Sequence, residues 1–226
     1  MTETSLENAA DLAQRKKNIR LTVVVLVAFM ALVLGLFINK LMTPRILSPK
    51  EMVNNGAIMF STPREIAPLK LIDEQGNAFD KEQLKGQWTL VFFGFTHCPD
   101  ICPTTLTVFN RLSETLLDSP FAEDTQFLLV TLDPARDTPE KLAEHVGFFG
   151  SDIRAVTGEF LDIHRFAKGV NIAFQKIVED DGDYTVDHSG NIVLINPQGH
   201  YHGFFKPPIK HDQLSLTYKS VRMSNR

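Results

Sequence analysis

The chain's only two cysteines, Cys98 and Cys102, lie in Thr96-His97-Cys98-Pro99-Asp100-Ile101-Cys102-Pro103 with three residues between them. Thiols this close in sequence act on something local: a soft metal ion held between them, a disulfide made and broken in exchange, or a bond that ties off a loop. Thioredoxin-type dithiols keep two residues between their sulfurs. The extra residue here widens the loop and leaves room for an ion. Two thiolates leave a metal's coordination incomplete, and Val186-Asp187-His188-Ser189-Gly190 offers an imidazole, His188, on a turn just ahead of a hairpin strand. Two thiolates and one imidazole suit trigonal Cu(I), and an added oxygen donor suits tetragonal Cu(II). A closed structural zinc site generally wants a fourth protein ligand. Taken singly, His188 also reads as a solvated loop residue, and the cysteines as a local disulfide in an extracytoplasmic loop.

Such a site needs elements to hold it. Residues 88–95 (WTLVFFGF) form a continuous apolar run, the pattern of a strand covered on both faces, and residues 126–132 (QFLLVTL) repeat it. Residues 104–117 carry apolar side chains at 106, 108, 109, 112, 116 and 117, a helical stripe. The second thiol then falls near a helix N-terminus, where free N–H groups and the dipole favour thiolate. A strand at 67–72 leads into a turn, and Thr138-Pro139-Glu140 opens a second helix with a capping residue and a proline at its first position. A short strand at 153–156 and a helix at 159–168 follow. Strands at 173–178, 190–196 and 200–205, separated by turn signals, read as antiparallel, and a last helix spans 211–222. Parallel βαβ units joined to an antiparallel hairpin predict a thioredoxin-like α/β sandwich with a mixed central sheet.

Charge and composition narrow the classes further. Lys and Arg number 23 against 27 Asp and Glu, a net charge of −4, with 43% apolar residues and a mean hydropathy of −0.06. These values exclude a wholly disordered chain and a strongly basic nucleic-acid binder. The apolar residues are concentrated, because 21–38 reads LTVVVLVAFMALVLGLFI without a charge. As a helix it spans roughly 27 Å, close to a bilayer core. Arg15, Lys16, Lys17 and Arg20 precede it, while Lys40, Arg45 and Lys50 follow more sparsely, which favours a cytoplasmic N-terminus. The following NKLMTP offers no small-x-small cleavage site, so the segment reads as an uncleaved signal anchor. The expected organisation is a cytoplasmic tail at 1–20, a transmembrane anchor at 21–38, a linker at 39–63 with Pro44, Pro49 and Pro63, and the site-bearing domain at 64–226. The expected location is the inner (cytoplasmic) membrane, single-pass, with the domain in a periplasm-like compartment.

Three separated stretches, residues 92–106 (FFGFTHCPDICPTTL), residues 131–139 (TLDPARDTP), and Asp187-His188-Ser189 with 195–199 (INPQG), closely resemble the Sco/SenC family of membrane-anchored copper proteins, in the same order. The resemblance implies a thioredoxin-like fold and copper bound by Cys98, Cys102 and His188. It also implies service in assembling cytochrome c oxidase, particularly its binuclear copper centre. The expected mechanism is that of a metallochaperone, copper capture and handover, and because the same dithiol can form a disulfide, reduction of the client's cysteines is a compatible step. The partners it implies are the oxidase's copper-bearing subunit, other copper chaperones or thiol reductants, and the membrane; no nucleic acid is among them. In proteins resembling this one the aspartate corresponding to Asp133 lies near the metal, which implies that it orients or charge-balances the site. From the residues alone, Asp133 equally caps the turn into Pro134. Asp100 reads as a solvated loop carboxylate, and His97 is left outside the ligand set. His200 and His202 alternate on one strand face and read as surface histidines.

Rival activities use the same dithiol. One is a membrane-tethered thiol–disulfide oxidoreductase, against which stand the spacing and His188, near where such enzymes place a cis-proline. Another is a redox or copper sensor. A peroxidase needs a peroxidatic-thiolate motif that is not visible in the sequence.

Overall fold

The computed structural model describes residues 3–42, 45–179 and 182–225. The chain divides into two compact units, residues 1–45 and 46–226. The first contains a single helix, α1 (Glu3–Met42), whose stretch Gln14–Lys40 is long and apolar enough to cross a membrane. The expected anchor at 21–38 lies inside it.

The second unit begins earlier than the sequence suggests. The segment expected to be a linker, 39–63, contains α2 (Pro49–Asn54) and most of β1 (Ala57–Glu65). Ser48 and Glu51 close a reciprocal capping box, and Pro49 takes the first helical position, so this short helix has a specified start. Strand β1 pairs antiparallel with β10 (His200–Phe205) at the edge of the main sheet. Its pairing breaks between Met59 and Arg64. Pro63 falls in that break, where a missing N–H does least harm.

The remaining elements are β2 (Leu71–Asp73), β3 (Ala78–Phe79), a short 3₁₀ turn (Lys81–Leu84), β4 (Trp88–Gly94), α3 (Ile101–Leu116), β5 (Thr125–Thr131), α4 (Pro139–Phe149), β6 (Ile153–Gly158), α5 (Phe160–Gly169), β7 (Phe174–Val178), β8 (Tyr184–His188), β9 (Ile192–Ile195) and α6 (His211–Ser224). Eight strands form one sheet in the order β1-β10-β9-β4-β5-β6-β2-β3. Strands β4, β5 and β6 run parallel; β9, β10, β1, β2 and β3 pair antiparallel, so the sheet is mixed as expected. Strands β7 and β8 make a separate two-stranded ribbon.

Alternation along β4 explains the layers. Leu90 and Phe92 join a core with Leu106, Phe109 and Leu112 of α3, Leu142 of α4, and Leu214 and Tyr218 of α6. Val91 and Phe93 face the opposite side, where Ile163 and Phe166 of α5 and Val186 of β8 pack. All seven residues of β4 are buried. Each buried large apolar side chain contributes about 1.5–3 kcal/mol, so the central strand that leads into the cysteine loop is the best anchored part of the domain.

Candidate metal centre

The cysteine loop leaves the carboxyl end of β4, the usual place for ligands in an open α/β sheet. Cys98 is half-buried, Cys102 is fully buried in the first turn of α3, and both are free thiols. Pro103 is tolerated there because the first turn needs no donor. Asp100 precedes the helix, is exposed, and makes no side-chain capping bond. His188 ends β8. The ligand atoms of Cys98, Cys102 and His188 lie within 4.8 Å of one another, with Cys102 Sγ 3.8 Å from His188 Nε2.

The imidazole is held by several contacts. Its Nδ1 lies 3.2 Å from the Ser189 carbonyl. A carbonyl only accepts, so Nδ1 carries the proton and Nε2 offers its lone pair towards the sulfurs. The rings of Phe92 and Phe95 meet the imidazole edge-on, at 5.8 and 6.1 Å between centroids. Gly94 leaves space for a sulfur, since a Cβ there would stand 2.8 Å from Cys102 Sγ. Gly190 does the same for the loop after His188, where a Cβ would meet Ile101 Cδ1 at 2.4 Å.

The two thiols differ in acidity. Cys98 is lowered to about 4, chiefly because the Cys102 thiol donates to it; burial opposes the shift, and the backbone N–H groups of Cys102 and Asp100 support it. Cys102 is pushed far up by its bond to Cys98, by burial and by the charge on Cys98. One thiolate and one thiol therefore share a proton between them, the arrangement that a soft cation would replace.

Asp137 is a supporting residue that the sequence alone does not single out. Its fully buried carboxylate accepts from Thr96 N (3.1 Å), Thr96 Oγ1 (2.5 Å) and Thr131 Oγ1 (2.6 Å), tying the start of the cysteine loop to the end of β5. The motif 131–139 contains it, but no local spacing singles it out from Asp133. Asp133 is buried just beyond β5, and its oxygens are taken by Arg136 Nε and by Tyr184 Oη (2.9 Å). His97 is exposed beside Thr96, outside the ligand group. His202 is not the surface residue expected. It is 7% exposed and meets Trp88 edge-on at 4.9 Å, because a bulge between Tyr201 and Gly203 breaks the alternation of β10. His188 also differs from expectation, closing a strand of its own rather than a turn.

Fold and site together define a thioredoxin-like domain in which a widened dithiol is joined by an imidazole, the donor set of a soft-metal protein. The SCO1/SenC family model matches residues 60–221. A Stutzerimonas stutzeri protein, whose name gives copper binding as its proposed role, is 38% identical over 166 residues, covering 74% of this chain and 81% of its own. Arabidopsis thaliana ScoI with copper bound superposes with a TM-score of 0.65 and 31% identity, over 70% of this chain and 98% of that one. Yeast Sco1 with copper bound gives 0.61 and 32%, over 72% and 90%. The chain belongs to the SCO1/SenC family.

Proposed function

We propose that this protein is a membrane-anchored copper metallochaperone that binds one copper through Cys98, Cys102 and His188 and delivers it to the copper-bearing subunit of cytochrome c oxidase. The observation that carries the reading is the convergence of two sulfurs and an imidazole nitrogen within 4.8 Å, from segments far apart in sequence. The donors fit copper: two soft thiolates, and an imidazole whose distal nitrogen is already hydrogen-bonded and whose near nitrogen faces the sulfurs. Copper is cargo here. Cys98 stands ready as a thiolate, Cys102 gives up its proton on loading, and His188 completes the set from a ribbon outside the main sheet. A partner's thiols can then displace these ligands one at a time. Residues 21–38 serve as the anchor, with 1–20 in the cytoplasm and the domain on the outer side, as the positive charges before the helix favour.

The test is a copper titration of the reduced full-length protein in detergent, with and without His188→Ala. One copper per chain with a thiolate-to-copper absorption band is expected. Loss of a group that only orients a ligand costs about 10–100-fold in affinity, so losing the imidazole itself is expected to cost more than about tenfold. A second reading rests on the paired thiolate and thiol, which is also the reactive form for disulfide exchange with a client. If His188→Ala binds copper as well as the parent while dithiol exchange stays fast, the oxidoreductase reading replaces the chaperone.

A further inference from the structure

Among the described residues, β7 and β8 pair only with each other, so side chains hold the ribbon that carries His188. Side chains alternate along a strand, and Tyr184, Val186 and His188 therefore project from one face of β8. Val186 is buried in the core and His188 meets the sulfurs. At the other end, Tyr184 Oη donates to Asp133 Oδ1 (2.9 Å), and Arg136 Nε–H donates to Asp133 Oδ2. The Arg136 guanidinium carbon lies 3.8 Å from the centre of the Tyr184 ring, and its Nη1 donates to Asp183 Oδ1 at 3.2 Å. Lys176 Nζ, from β7, lies 3.3 Å from the same ring centre. Asp133 follows Leu132, whose N–H donates to Gly94 O (2.8 Å), so the clamp is fastened to the strand ends that present the cysteine loop.

We propose that Tyr184 and Arg136 are positioning residues for His188. Clamped on Asp133, they fix the β7–β8 ribbon so that the imidazole meets the dithiol, and releasing them withdraws the imidazole without altering either sulfur. Both oxygens of Asp133 are engaged by the clamp, so its influence on the site runs through the ribbon. This inference rests on the copper reading above, but half of its test does not.

The test uses full-length protein in detergent and the variant Tyr184→Phe, which keeps the ring and removes only the hydroxyl donor. In the metal-free protein, hydrogen exchange at 174–178 and 184–188 is expected to speed up about tenfold, as for a locally opened unit, while exchange in β4 and β5 is unchanged. Copper affinity is expected to fall about tenfold, the lower end for lost outer support of a ligand. In the His188→Ala background the same substitution is expected to change affinity less than about twofold, because no imidazole remains to be positioned. Arg136→Lys, which keeps a cation but not the planar fork, is expected to fall between parent and Tyr184→Phe. Unchanged exchange and affinity in Tyr184→Phe, or an equal loss of affinity without His188, overturns the proposal. If the parent binds no copper, the functional reading fails on its own, and the exchange measurement still decides whether the clamp holds the ribbon.

Discussion

Cys98 and Cys102 share a loop but not a character, and the difference is measurable. With Cys98 lowered to about 4, its alkylation by iodoacetamide is expected to be nearly flat between pH 6 and 8, whereas an ordinary thiol gains about tenfold per pH unit up to its pKa near 8.5. Peptide mass spectrometry across that range checks this, and a tenfold climb per unit at Cys98 would defeat it. Cys102, fully buried, is expected to label last. Gly94 is the other residue with a sharp consequence. Its missing side chain is the space that Cys102 Sγ and Phe92 Cε1 occupy, at 2.8 and 2.9 Å from the position of a Cβ. Gly94→Ala is expected to cost about 1–3 kcal/mol as an overpacked core does, and to weaken copper binding. An unchanged denaturation midpoint with an unchanged copper titration would remove that role. Asp137→Asn, which weakens three bonds to a buried charge, is expected to cost about 2–3 kcal/mol and loosen the cysteine loop in hydrogen exchange.

Between elements, the turn from β2 to β3 shows how a carboxylate joins distant strands. Burial tends to raise Asp73, but the N–H groups of Asn77 (2.8 Å) and Gln75 (3.0 Å), together with Arg154 of β6 (2.8 Å), hold it below its ordinary value. A carboxylate lowered on folding adds stability above its unfolded pKa near 3.9 and loses it as pH falls through the folded value. Asp73→Asn is therefore expected to cost roughly 1–3 kcal/mol at pH 7, and the gap to the parent is expected to close below about pH 4. Chemical denaturation at several pH values tests it, and a gap that widens in acid would contradict the sign. The elements legible in sequence were those with a strong period or a continuous apolar run: β4, β5, α3 and α4 all lie close to where residues 88–95, 126–132, 104–117 and 138–140 place them. Strand β1 hid because Pro63 interrupts it and β10 covers only one edge. Strand β8 hid because Tyr-Thr-Val-Asp-His has one strongly apolar residue and pairs with β7 outside the main sheet. Of the site, the ligands were readable from residue type and motif, whereas Asp137 and Tyr184 act through long-range hydrogen bonds that leave no local pattern.

For the whole molecule, stability and metal handling are set at opposite ends of β4. At the amino end, Arg222 is 6% exposed, donates to both oxygens of Asp124 (2.6 Å each), and reaches Thr125 Oγ1 and Tyr218 Oη at 3.0 Å. Arg222→Met is expected to cost about 2–3 kcal/mol, below the ~3–5 of a fully buried pair because Asp124 is partly solvated, and to leave copper affinity unchanged. A variant that melts normally, or that binds copper less well, would show the two ends to be coupled differently. The division at residue 46 gives a second expectation: a fragment of 46–226 is expected to titrate with the same copper stoichiometry as the full chain, while one starting at 64 is expected to lose stability with β1. The distance in sequence between the donors has a further consequence. Cys102 and His188 are 86 residues apart, so an unfolded chain carries a bare dithiol and an unrelated histidine, and closing that long loop is a cost met only by the native core. A chain that has not yet folded, or one that has come apart, is thus expected to be a poor competitor for the metal, so that metal retention doubles as a check on folding.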